Sequence, residues 1–415
     1  MPAVGTTSIG IRDSMNERHH RWHIRLLIIA ILALAAALLP THIARADGGA
    51  SNLAYIAGAG VAGGELAIVD ISGRKVSGHV TLGGTPWGVV LSPDNRNVYV
   101  TLSTKDQLAV IDAQAKTLTT TIPTGPGPTV IATDITKTPK MTLYIANSLA
   151  DTVTVIDPDA HHPVLATVTV GQHPDGVAVA GQDSGISDPT RSEIYVTCKD
   201  SNTVVVLDGN TYAVLATIPV PGGPLGVSVP ISGGVAYVTT RDGAIDGIAL
   251  ADHRFLGTIL QRDGAQFGAM DYDAITGNVY VPDAATGSVL VLAPATAGGA
   301  GTVHIPQEPS RVLPFTGGPT AVAITFDATI GFIAERDTGA VALFDVAARS
   351  VVTTITVGGT PHAIVCGSYP PILNRQVAYI AEFVVSGLIL FLMGVIGFLI
   401  WRRSLKGEQA RVSSK

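Results

Sequence analysis

An aromatic residue recurs along this chain at a spacing that leaves few folds open: Tyr55, Tyr99, Tyr144, Tyr195, Tyr237, Tyr280 and Phe332, in steps of 44, 45, 51, 42, 43 and 52 residues. Each sits in a short run of β-branched and small apolar residues: YIAG, YVTL, YIAN, YVTC, YVTT, YVPD and FIAE. A period of this size marks a propeller or solenoid array, in which each unit buries its faces only against its neighbours. Within the unit Leu143 to Ala180, Asn, Asp, Pro and Gly separate the runs LYIA, TVTVID, VLATVTV and DGVAVA, which read as four strands. Their apolar character is nearly continuous rather than alternating, so both faces are expected to be covered.

Two further marks keep the same register. Thirteen residues after the aromatic, an aspartate closes a strand in four units, Asp112, Asp157, Asp208 and Asp345, and Asp70 does so at fifteen; Leu250 and Ala293 stand there in the two degenerate copies. Each unit ends in a Gly-rich turn into an apolar strand: GGTPWGVV, GPGPTVIA, GQHPDGVAVA, GGPLGVSV, GAQFGAM, GGPTAVAI and GGTPHAIV. On these residues the chain resembles the YVTN-repeat β-propellers over about 51–368, down to the turn Ser92-Pro93-Asp94-Asn95. The resemblance implies an all-β, seven-bladed β-propeller of four-stranded blades across residues 47–373. The chain enters at LAYIAG (53–58), the second strand of a unit, and leaves at HAIVCG (362–367), the first strand of the next. These two ends are expected to pair in one composite blade, which removes open sheet edges. Cys198 and Cys366 fall on nearly opposite parts of such a ring, so no disulfide is expected between them.

Charged residues make up 14 % of the chain, against about 25 % in ordinary domains. Doubly buried blades explain part of the deficit, and two terminal segments explain the rest. Residues 1–46 read as an export signal: Arg18, Arg21 and Arg25, then the uncharged run 26–39, then Ala44-Arg45-Ala46. An uncleaved N-terminal anchor is the alternative. After a linker at 374–382, residues 383–401 are uncharged and long enough for a transmembrane helix, with Trp401 and Arg402-Arg403 at its end. The positive-inside rule places the tail 402–415 in the cytoplasm and the propeller outside it, on a single-pass membrane protein. The terminal segments carry +3 (1–46) and +4 (374–415), which leaves −13 of the overall −6 for residues 47–373. An acidic surface repels phosphate backbones, so nucleic acid is not an expected partner.

Several short matches lose to their context. Gly58-Ala-Gly60-Val-Ala-Gly63 has the dinucleotide-binding spacing, but a strand follows where that motif needs a helix. Leu313-Pro314-Phe315-Thr316-Gly317 resembles a wall-sorting signal but occupies the turn of a blade. His161-His162 falls on a hairpin loop after Asp157-Pro158. No cofactor and no metal site is expected. If the ring has a site, it lies at the channel mouth, where the turns into the first strands present Trp87, His173, Asp175, Phe267 and His362 beside Leu225 and Thr320. Three functions fit: a membrane-tethered scaffold that binds a protein or envelope ligand; an accessory protein of an extracytoplasmic redox or haem/metal system, with His173 and His362 as ligands; and a lactonase-like hydrolase, for which no nucleophile–base pair can be placed.

Overall fold

Every aromatic of the repeat is interior in the computed structural model of the protein: Tyr55, Tyr99, Tyr144, Tyr195, Tyr237, Tyr280 and Phe332 are each 2 % exposed or less. The structure describes residues 52–59, 64–136, 141–160, 163–181, 184–188, 190–297, 303–325 and 327–367. The expected signal at 1–46, the expected span at 383–401 with its tail, and His161-His162 lie outside the described residues.

The strands form seven four-stranded antiparallel sheets. In six of them the strands follow chain order from the channel outward. Their inner strands are Pro86–Leu91, Pro128–Asp134, Pro174–Ala180, Pro224–Ser228, Asp271–Tyr272 and Pro319–Ile324, here numbered as blades 1 to 6. Blade 7 is composite. Its inner strand, Ala363–Cys366, pairs with Leu53–Ala59 from the other end of the ring, with Ala54 opposite Cys366 and Ala57 opposite Ala363. Glu65–Asp70 and Lys75–Thr81 complete it. The ring thus closes where the sequence placed the closure, and Gly367 N donates to Leu53 O at 3.0 Å beside it. The ring has two ends. The upper end carries the turns into the inner strands and the loops after the second strands; the lower end carries the other turns.

The repeat residues have separate structural duties. The strand-closing aspartates cap lower turns: Asp112 Oδ1 accepts from the N–H groups of Gln114 (2.8 Å) and Ala115 (2.7 Å), and Asp208 Oδ1 from those of Asn210 and Thr211 (both 2.8 Å). The N–H of Gly73 in the same way holds the Asp70 carboxyl below the usual carboxylate range. The Thr of YVT stitches adjacent blades. Thr197 Oγ1 donates to Leu225 O of blade 4, and Thr101 Oγ1 of blade 1 donates to Thr129 O of blade 2 at 2.5 Å. Inner strands approach so closely there that a Cβ on Gly88 would lie 2.7 Å from Thr129 O, and one on Gly176 2.5 Å from Leu225 O.

Two long loops pack between blades. Loop 181–192 buries Ile186 beside Val229 and Ala236 of blade 4, and Ser192 Oγ donates to Asp134 Oδ2 of blade 2. The stretch 293–312 holds a two-stranded ribbon, Thr296–Ala297 with Val303–His304. Beside it Ala295 N donates to Tyr237 Oη at 3.0 Å, and Ile305 packs into the core shared by blades 4 and 5. Cys198 and Cys366 are both free thiols, as the ring geometry led one to expect.

Candidate functional site

The inner strands enclose a channel of about 560 Å³. Their first side chains after the turn make its upper mouth: Trp87, Thr129, Asp175, Leu225, Phe267, Thr320 and His362 around the seven blades. Of the five residues that the sequence nominated, Trp87, Asp175, Phe267 and His362 line this one cavity, together with Leu225 and Thr320.

His173 does not reach it. It occupies the residue before Pro174 with φ 52°, the place taken by Gly127, Gly223 and Gly318 in sister turns, and its Nδ1 faces Asp200 Oδ2 at 3.6 Å. A left-handed residue other than glycine costs roughly 1 kcal/mol or more. The position is set by its N–H, which donates to Asp151 Oδ1 at 2.9 Å just as Gly127 N donates to Asp106 Oδ1.

The four that line the cavity differ in kind. Phe267 is 9 % exposed and belongs to the core between blades 4 and 5, so it is wall rather than free surface. Asp175 is held by Lys199 Nζ at 3.4 Å. His362 is fixed at both ring nitrogens, Nδ1 lying 2.8 Å from Thr360 O and Nε2 2.8 Å from Pro86 O of blade 1. Its ring packs against that of Trp87, centroids 4.8 Å apart and planes tilted by 44°, and Trp87 is 41 % exposed. Trp87 is therefore a large aromatic in solvent whose orientation is braced by a neighbour that is itself anchored.

The lower throat holds groups that the sequence did not flag. Asp271 comes from the degenerate stretch Gln266 to Tyr272, which leaves its own blade midway: Phe267 bridges Asp283 within blade 5, whereas Ala269 bridges Ala321 of blade 6. Ala269 N donates to Thr320 O (2.9 Å), Val322 N to Ala269 O (3.0 Å) and Ile324 N to Asp271 Oδ2 (2.7 Å). Burial pushes the Asp271 carboxyl up to about 6 against the pull of the Ile324 and Tyr272 N–H groups. Burial likewise pushes the nearby Cys366 thiol up to about 12, with Asp271 adding to it, and Cys198 up to about 11. Neither sulfur is a thiolate near neutral pH. Among the described residues no three His, Cys, Asp or Glu side chains are grouped as a metal site would require. A carboxylate opposite the repeat aromatic, where the sister strands carry Val90, Ala178 and Ala323, was the available signal.

No protein-family model matches the chain, and no curated protein matches it in sequence. Solved structures match its fold. The hydrazine synthase of Kuenenia stuttgartiensis aligns with a TM-score of 0.54 and 17% identity over 67% of this chain and 88% of that one. A protein of unknown function from Desulfotomaculum acetoxidans aligns with a TM-score of 0.60 and 15% identity, covering 77% and 99%. A putative 6-phosphogluconolactonase from Bacteroides uniformis gives 0.57 and 15% over 76% and 99%. At such identities the likeness establishes the propeller architecture, and function has to be argued from the site.

Proposed function

We propose that this chain is a YVTN-type propeller tethered on the non-cytoplasmic side of a membrane, and that it binds a protein or envelope ligand at the upper mouth of its channel. The observation that carries the reading is the braced Trp87, exposed over the His362 ring at a cavity mouth. Exposed aromatics fixed before binding lose little entropy on contact and dominate interface energetics. The tether rests on the uncharged run 383–401 followed by Arg402-Arg403. No cofactor enters this reading. The redox alternative would need His173 and His362 as ligands, but they stand on blades 3 and 7, and the nitrogens of His362 both face backbone carbonyls. The lactonase-like alternative gains no thiolate nucleophile, since burial keeps both thiols protonated.

The test is capture of the native partner from solubilised membranes by the full chain and its Trp87→Ala variant. Capture should weaken ten-fold or more, about 1.4 kcal/mol, with melting nearly unchanged. Undiminished capture by Trp87→Ala would overturn the reading.

A further inference from the structure

The exposed large aliphatic side chains of the ring are unevenly placed. Leu118, Val164, Leu165, Val214, Val351 and Val352 stand at the lower heads of the outermost strands, each between 39 % and 50 % exposed. Ile135, Ile231 and Ile275, the last 70 % exposed, stand in turns at the same end. Among the described residues the upper end, against these nine, exposes Trp87 and Leu149, and Val312 is exposed on the outermost strand of blade 5. Scattered apolar side chains need no explanation, but their concentration on one rim does.

Basic side chains accompany them. In five blades the turn before the outermost strand contains a left-handed residue among those described, and in three of the five it is cationic: Arg74 (φ 51°), Lys116 (φ 55°) and Arg349 (φ 55°). Two residues on comes an aliphatic: Val76, Leu118 and Val351. Arg74 and Arg349 are exposed, whereas Lys116 Nζ donates to Ser77 O at 3.1 Å. The acids of these turns, Asp70, Asp112 and Asp345, each accept at Oδ1 from N–H groups of their own turns. Arg74 and Val352 also line one groove of about 330 Å³ between blades 6 and 7. Aliphatic groups beside cations on long stems are the chemistry of a surface that sits at phospholipid headgroups.

The chain itself says which surface lies near. Both ends of the ring leave at this rim, where Gly367 N is bonded to Leu53 O. Residues 368–382 join that point to the uncharged run 383–401. This connector reaches roughly 50 Å at most.

We infer that the lower rim rests on the phospholipid surface itself, so that the upper mouth points away from the membrane. This shares the tether with the proposed function but is independent of what the mouth binds. To test it, the full chain is placed in phosphatidylcholine liposomes with an environment-sensitive fluorophore on Ile275→Cys, Val352→Cys or Leu149→Cys. All three sites are exposed, so the label does not disturb the core. Brominated lipid should quench the probe at Ile275 and Val352 by about half, and the probe at Leu149 by less than about a tenth. Adding Trp87→Ala should change none of these values. Equal, weak quenching at all three positions would overturn the inference. So would protection of Ile275 in native membranes but not in liposomes, which would replace lipid by a protein partner.

Discussion

Side chains at one repeat position of the inner strands have unequal energetic weight. Phe267 and Trp87 are equivalent in sequence, but one is core and the other is surface. Phe267→Ala should cost about 3 kcal/mol in denaturant unfolding, whereas Trp87→Ala should stay within about 1 kcal/mol. His173 holds a turn that its sisters build from glycine, so His173→Gly should raise stability by about 0.5–1 kcal/mol and leave partner capture unchanged. Loss of capture would show that His173 belongs to the site after all. Asp271 gives the pH dependence. Its folded value of about 6 lies above the ordinary carboxylate value, so the folded ring binds the extra proton and stability falls as pH rises from about 4 to 6. Asp271→Asn should therefore stabilise the ring by about 1–2 kcal/mol at pH 7.5, with the gain gone below pH 4; an equal gain at both would contradict the assignment. The positions at the mouth were legible because Gly-Pro turns lock their register. Which of them are exposed was not, since that depends on the neighbouring blade. Asp271 was hidden because its strand has lost the repeat pattern.

Inner strands meet through backbone at the element scale, and the tightest place is the crossover from blade 5 to blade 6. A Cβ on Gly268 would overlap the Thr320 carbonyl, which already accepts from Ala269 N. Gly268→Ala should therefore cost several kcal/mol in thermal or denaturant unfolding, on the scale of an overpacked core. Gly78→Ala, on an outer strand with its nearest contact at 3.5 Å, should be tolerated within about 1 kcal/mol. Equal tolerance of both would mean that the crossover is not close-packed. The strands themselves were readable from apolar runs between Gly, Pro and Asp. The ribbon at 296–304 was not, because its strands are two residues long and its Gly-Ala composition has no period. What holds that segment is a bond to a tyrosine of the preceding blade, a contact that local sequence cannot encode.

The whole molecule closes by pairing its two ends, which was legible because the terminal runs read as the second and first strands of one unit. Deleting residues 361–367 removes the inner strand of blade 7 and leaves Leu53–Ala59 with an open edge. Light scattering should then show aggregation, and a monomer with unchanged melting would mean that the ring closes without this pairing. If the apolar lower rim rests on the membrane as inferred above, the upper mouth is the accessible face, and recognition is expected there. The most direct measurement places a photo-crosslinking side chain at Leu225, inside the mouth, or at Val312, on the outer flank of blade 5, in the full chain in native membranes. Leu225 should yield one specific adduct that Trp87→Ala abolishes, and Val312 should yield none. An adduct at Val312 with none at Leu225, or one at Leu225 indifferent to Trp87→Ala, would contradict it.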